Sequence, residues 1–214
     1  EEGVFGYGRA IPELLEVICG RLRRLYDWEV TPDAIVFFPG LVSALNVACL
    51  AIGHQGDGVL LQPPVYFPFL DAVTNQGRSQ QHSPLTRSVD GGSIYYDVDY
   101  DALEEVISPR TRLFLLSNPH NPTGQMYGRY DLERMADICM RHDLVICSDE
   151  IHCELLLDGQ HHQPIATLSP EIAERCITLM APSKTFNLAG LSCGFAIIQN
   201  HNLRARLEAA RVGM

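Results

Sequence analysis

Short, continuously apolar runs alternate along this chain with segments of helical periodicity. The runs are Ile35-Val36-Phe37-Phe38, Val59-Leu60-Leu61, Leu113 to Leu116, Leu144 to Cys147, Cys176 to Met180 and Gly194 to Ile198. None alternates polar with apolar residues as a strand with one wet face does, so both faces of their sheet are expected to be covered. Helices are predicted over about 12–26, 41–52, 70–75, 130–142 and 200–211, with a further one after Asp99. Leu14, Leu15, Ile18, Leu22 and Leu25 share one face of the first, and Pro12 suits its first turn. Asp99 reads as an N-cap, with Leu103, Val106 and Ile107 facing inward behind it. Residues 78–97 are polar and turn-rich, ending in Ile94-Tyr95-Tyr96. The pattern indicates an α/β fold: a mostly parallel sheet with helices on both faces. No internal repeat or low-complexity linker divides residues 1–214, which read as one domain.

Composition narrows the class. The chain is 46% hydrophobic and 20% charged, with no apolar run of the roughly 18 residues needed to span a membrane. No secretory signal pattern opens it, and position 1 is not Met. Its formal net charge is −10, and Arg21-Leu22-Arg23-Arg24, its one basic cluster, reads as the solvated face of a helix. Neither nucleic acid nor membrane is therefore an expected partner. Seven cysteines form no CxxC pair and lie mostly in apolar stretches, as expected of reduced thiols in a cytoplasmic protein.

Three polar motifs each follow an apolar run: 117–124, 148–152 and 181–187. In parallel sheets ligands bind at the carboxyl ends of strands, so these motifs are expected to meet at one sheet edge. The last contains Lys184, the one lysine of the chain; the other 15 of the 16 basic residues are arginine. Arginine stays protonated, whereas a lysine amine can lose its proton and attack a carbonyl. Lys184 is thus a candidate nucleophile, the alternative being a surface lysine that survived a bias toward arginine. Asp149 follows a buried strand, where it could be a helix cap, a metal ligand with His152, or the partner of a protonated cofactor nitrogen. Tyr66, between prolines, is either an aromatic plate or plain packing. Gly40, between strand and helix, is either a simple turn or the mouth of an anion site. His161-His162 lies in a polar loop and reads as exposed. The dinucleotide fingerprint fails, because Gly6-x-Gly8 is followed by Ile11 where a third glycine belongs, and there is no P-loop. Together, a nucleophilic lysine, a buried carboxylate, an aromatic plate, an asparagine on a tight turn and an anion cradle are the parts that hold pyridoxal phosphate.

Asn121-Pro122-Thr123-Gly124, Ser148-Asp149-Glu150-Ile151-His152 and Ser183-Lys184-Thr185-Phe186-Asn187, in this order and spacing, resemble the fold-type I pyridoxal-phosphate enzymes of the class I/II aminotransferase family. Phe5-Gly6-Tyr7, Pro63-Pro64-Val65-Tyr66 and the Asp-Glu-Ile-His form look most like its cystathionine β-lyase (carbon–sulfur lyase) branch. The resemblance implies that Lys184 links the cofactor as an imine and moves the α-proton. It implies that Asp149 pairs with the pyridinium nitrogen, Asn121 bonds the ring 3′-oxygen and Tyr66 stacks on the ring. The N–H groups of Leu41 and Val42 would bind the phosphate. Tyr7 would reach the phosphate of a neighbouring subunit's cofactor, so a homodimer is implied.

Departures from the family pattern are local. Ala181 stands where many relatives have a phosphate-binding serine, and Ser192 where many have an arginine; Ser183 and Ser192 offer weak compensation. His152 stands where aspartate aminotransferases have a tyrosine on the ring oxygen. Relatives also carry a small C-terminal domain with the arginine for the substrate carboxylate. The chain is accordingly expected to be the cofactor-binding large domain of a longer protein, with its N-terminal arm also shortened. The implied activity is carbon–sulfur β-lysis of an amino acid such as cystathionine, giving a thiol, ammonia and pyruvate. The alternatives are transamination between an amino acid and a 2-oxo acid, and a non-catalytic cofactor- or protein-binding fragment.

Overall fold

The computed structural model describes residues 10–213. In chain order the elements are α1 (Pro12–Tyr26), β1 (Ile35–Phe38), α2 (Leu41–Ala51), β2 (Gly58–Leu61), α3 (Pro68–Asn75), β3 (Ser79–His82), β4 (Thr86–Asp90), β5 (Ser93–Asp97), α4 (Tyr100–Glu105), β6 (Thr111–Ser117), α5 (Arg129–Arg141), β7 (Val145–Asp149), α6 (Pro170–Ala173), β8 (Cys176–Met180), β9 (Gly194–Ile197) and α7 (His201–Ala210). Seven strands form one sheet in the order β1-β9-β8-β7-β6-β2-β3. Only β9 runs against the rest, pairing antiparallel with both β1 and β8. The chain returns from β8 to β9 without a crossover helix, and an antiparallel return needs none. That connection instead carries Lys184.

Alternation along the strands builds two cores. Phe114, Leu116, Ile146, Cys176 and Met180 face α1 and α5. Leu113, Leu115, Cys147, Ile177 and Leu179 face α2, α3 and α7. With both faces covered, β7 and β8 have no wet side, hence their unbroken apolar runs. The α1 stripe buries Ile18 and Leu22, and Asp99 caps α4 by accepting from the Ala102 N–H at 3.0 Å. α4 ends at Glu105, and Val106 and Ile107 pack on the core from the turn that follows.

Residues 78–97 depart from expectation. They form β3, paired parallel with β2 at the sheet edge, and the β4–β5 hairpin. β3 reads Ser-Gln-Gln-His, and an edge strand is held by backbone pairing with little apolar burial. The hairpin turns on Gly91-Gly92, both at positive φ (55° and 84°), a conformation the two-residue turn requires.

Candidate active site

The sheet order brings the three motifs together. β6, β7 and β8 are neighbours and parallel, so their carboxyl ends lie side by side at one edge. A cleft of about 400 Å³ opens there, lined among others by Leu41, Val42, Tyr66, Asn121, Asp149, His152, Ser183 and Lys184. Of the nine residues offered above for the cofactor site, eight therefore face one cavity. The ninth, Tyr7, lies outside the described residues.

Gly40 sets the floor. It sits at φ 131°, ψ 162°, a backbone region open essentially to glycine, and caps α2. The first intrahelical bond of α2 runs from the Ala44 N–H to the Gly40 carbonyl (3.3 Å). The N–H groups of Leu41, Val42 and Ser43 therefore have no acceptor within the helix and add to its positive end. Gly194, at the start of β9, permits this approach: a Cβ there would lie 2.5 Å from Cδ1 of Leu41.

Asp149, only 7% exposed, ends β7 on the α2 face. Among the described residues its side chain has one hydrogen bond, accepted from the Ile151 N–H at 3.1 Å. Burial pushes its carboxyl up to about 7; the Ile151 N–H and the Lys184 charge pull down, and the neighbouring Glu150 pushes up. Such a carboxylate is short of a cation. Burial also lowers the half-buried His152 imidazole, and the Lys184 charge adds to this. Lys184 is exposed at the cleft, on a turn closed by Phe186 N–H to Pro182 O and Leu188 N–H to Ser183 O, both 2.9 Å. It is the one cationic side chain among the described residues lining the cleft.

The loops are tied to one another. The Asn118 N–H donates to the Asp149 carbonyl (3.0 Å), and the Tyr66 N–H to the Asn121 carbonyl (3.0 Å). The Ser117 hydroxyl accepts from the Asn121 N–H at 3.2 Å and lines the cleft, a role the sequence reading did not give it. Its position as the last residue of β6, one step beyond the apolar run, was the available signal. Ala181 and Ser192 also line the cleft, where neither supplies a positive charge.

One expectation fails. Among the described residues no cluster of three or more His, Cys, Asp or Glu could hold a metal ion, so Asp149 and His152 do not form part of such a cluster. No helix there is long and apolar enough to cross a membrane. All seven cysteines are free. His161 is exposed as expected, but His162 is not. It is 6% exposed and bonds to Glu150 at 2.7 Å, because the loop turns inward to satisfy a carboxylate that the Asp-Glu pair puts beneath the sheet.

Comparison with known proteins agrees with this geometry. The family model "Aminotransferase class I and II" matches residues 2–213. The cystathionine beta-lyase PatB of Bacillus subtilis is 41% identical over 98% of this chain and 54% of its own length. Kynurenine–oxoglutarate transaminase 3 of Homo sapiens is 30% identical over 93% of this chain and 44% of its own. Cystalysin of Treponema denticola, whose crystal structure contains a pyridoxal 5′-phosphate cofactor, superposes with a TM-score of 0.92 at 33% identity, over 97% of this chain and 52% of its own. The chain spans about half the length of the curated relatives it matches.

Proposed function

Since this chain belongs to the class I and II aminotransferase family, we propose that it is the cofactor-holding unit of a carbon–sulfur β-lyase acting on cystathionine or related cysteine S-conjugates. The cofactor is pyridoxal 5′-phosphate. The residues present fit it on three counts: a single lysine at the cleft, a buried carboxylate lacking a cation, and a helix start with unpaired N–H groups. The observation that carries the reading is that Lys184 and Asp149, from adjacent parallel strand ends, face one cleft.

When bound, the cofactor supplies an electron sink conjugated to the substrate's α-carbon. Lys184 would be its covalent anchor, and its amine would be the base that takes the α-proton. Asp149 would hold a proton on the ring nitrogen. Asn121 and His152 would hold the ring oxygen, and Tyr66 would pack on the ring. The N–H groups of Leu41 and Val42, with the Ser183 hydroxyl, would take the phosphate, and Tyr7 would reach the phosphate of a second subunit in a homodimer. Loss of the α-proton lets the Cβ–S bond break with its electron pair on sulfur. Water then converts the remaining three-carbon fragment to pyruvate and ammonia. Seven free thiols support a reducing compartment such as the cytoplasm.

Transamination is the second reading, favoured by the similarity to the human transaminase. It uses the same residues up to removal of the α-proton. The test is to incubate the intact protein with cystathionine and no oxo acid. Pyruvate and a thiol are the expected products. No pyruvate, together with amino transfer to an added oxo acid, would replace the lyase with the transaminase.

A further inference from the structure

Glu150 and His162 are fully buried as side chains, and the roles proposed above use neither. Glu150 lies on the opposite side of the sheet from Asp149. Its carboxylate accepts from the Ser148 hydroxyl (2.9 Å), His162 Nε2 (2.7 Å) and the Ile165 N–H (3.3 Å). A buried carboxylate with three donors is well satisfied, and one stripped of them is strongly destabilising. The Tyr26 ring of α1 stands edge-on to His162 at 5.7 Å. The basic residue nearby on α1, Arg21, is taken by Glu154.

The position of this pair suggests its use. Glu150 and His162 stand twelve residues apart, and the loop between them carries Ile151 and His152, both on the cleft. Joining its two ends closes that loop. At the near end the backbone is fixed on both sides: the Glu150 N–H donates to Leu179 O of β8 (2.9 Å), and the Asp149 carbonyl accepts from Asn118 beyond β6 (3.0 Å). The Asp149 carboxylate in turn depends on the Ile151 N–H, the first amide of the loop.

We propose that Glu150 and His162 are positioning residues, a buried hydrogen-bonded clasp that holds Asp149 and His152 in register with the cofactor cleft. This rests on the cofactor reading given above. The loop is also held by the Arg21–Glu154 ion pair and by the turn bonds from Cys153 N–H to Glu150 O (3.0 Å) and Leu155 N–H to His152 O (2.9 Å), but among the described residues none of these bonds the Ile151 amide or the Asp149 carboxylate, so opening the clasp lets the carboxylate swing without unravelling the sheet.

The discriminating variant is the double substitution Glu150→Leu with His162→Leu in the intact protein. Replacing a buried polar pair by apolar side chains of similar volume is often neutral or stabilising. Here the exchange also leaves the buried Ser148 hydroxyl and Ile165 N–H without their acceptor, so the cofactor-free melting temperature is expected to fall by several degrees while the protein stays folded. The circular dichroism of the bound cofactor's visible band is expected to fall at least twofold, and cofactor release to accelerate about tenfold. Faster hydrogen exchange at the Ile151 amide in the cofactor-free protein is expected alongside. Glu150→Gln, which keeps an oxygen for His162, is expected to restore most of the dichroism. A double variant with wild-type dichroism and release would overturn the proposal, as would Glu150→Gln behaving no better than the double variant. If the double variant fails to fold, a Glu150→Gln protein with less than half the wild-type dichroism overturns it, and one near wild type supports it. Wild-type protein that takes up no cofactor would instead overturn the functional reading.

Discussion

The Tyr66 N–H donates to the Asn121 carbonyl at 3.0 Å, tying the loop after β2 to the loop after β6. Both side chains are thereby delivered to one cleft by a bond that neither side chain makes. Tyr66→Ala removes the ring and leaves this bond in place. The ring is 37% exposed and tilted against Phe67 at 5.3 Å, so little packing is lost. The melting temperature is expected to move by no more than about 4 °C. Affinity for pyridoxal 5′-phosphate is expected to fall about tenfold with the loss of stacking and covered area. Calorimetric melting and a cofactor titration separate the two effects.

Asp149 makes the cofactor-free fold sensitive to pH. Its folded-state carboxyl is raised to about 7, chiefly by burial. Between about pH 4 and about pH 7 the unfolded chain has released a proton that the folded protein keeps. The folded state binds more protons there, so stability falls as pH rises. The penalty is absent below the window, complete above it, and on the order of a few kcal/mol. Asp149→Asn is expected to flatten this part of the curve and to make the cofactor-free protein more stable than wild type at pH 8. Saturating pyridoxal 5′-phosphate should raise the wild-type melting temperature and do so much less for Asp149→Asn. Melting curves from pH 5 to 8, with and without cofactor, check both.

What could be read from the sequence, and what could not, follows from how far apart the causes lie. Cys176 to Met180 and the α1 stripe were legible because burial on two faces, or on one, leaves a local period. Asp149, Asn121 and Lys184 were legible because each follows such a run and parallel neighbours align their ends. β3 was not, since its Ser-Gln-Gln-His owes its conformation to β2 beside it. The β4–β5 hairpin was overlooked although Gly91-Gly92 marks its turn. His162 was misread because the group that buries it, Glu150, lies twelve residues away, and nothing local announces the pairing.

Lys184 permits a substitution test with little structural cost. The side chain is exposed and its turn is held by backbone bonds. Lys184→Ala and Lys184→Arg are both expected to melt within about 2 °C of wild type when cofactor-free. Both should lose the borohydride-trapped label on peptide 181–187, and turnover should fall about 1,000-fold or more. Arginine should not rescue, because it keeps its proton. Mass analysis of the trapped peptide and steady-state rates provide the check; label retained in either variant would remove Lys184 from the role of anchor.

Gly40 offers the sharpest test of the phosphate end. Nothing lies within 4 Å of the Cβ it lacks, so Gly40→Ala meets no steric obstacle. The cost is conformational: φ 131° with ψ 162° is strained for any residue with a side chain, by roughly 1–3 kcal/mol. Relief of that strain would turn the peptide between Gly40 and Leu41, and with it the open N–H groups at the start of α2. No arginine among the described residues lines the cleft to make good the loss, and Ala181 and Ser192 add no charge. Gly40→Ala is therefore expected to weaken pyridoxal 5′-phosphate by about tenfold or more. Pyridoxal, which has no phosphate, should bind the variant and the wild type within about twofold of each other, since Lys184 and Asn121 stand on the connections after β8 and β6, and Asp149 at the end of β7. Parallel titrations with the two ligands make the comparison. Equal losses for both would mean that the helix start does not hold the phosphate.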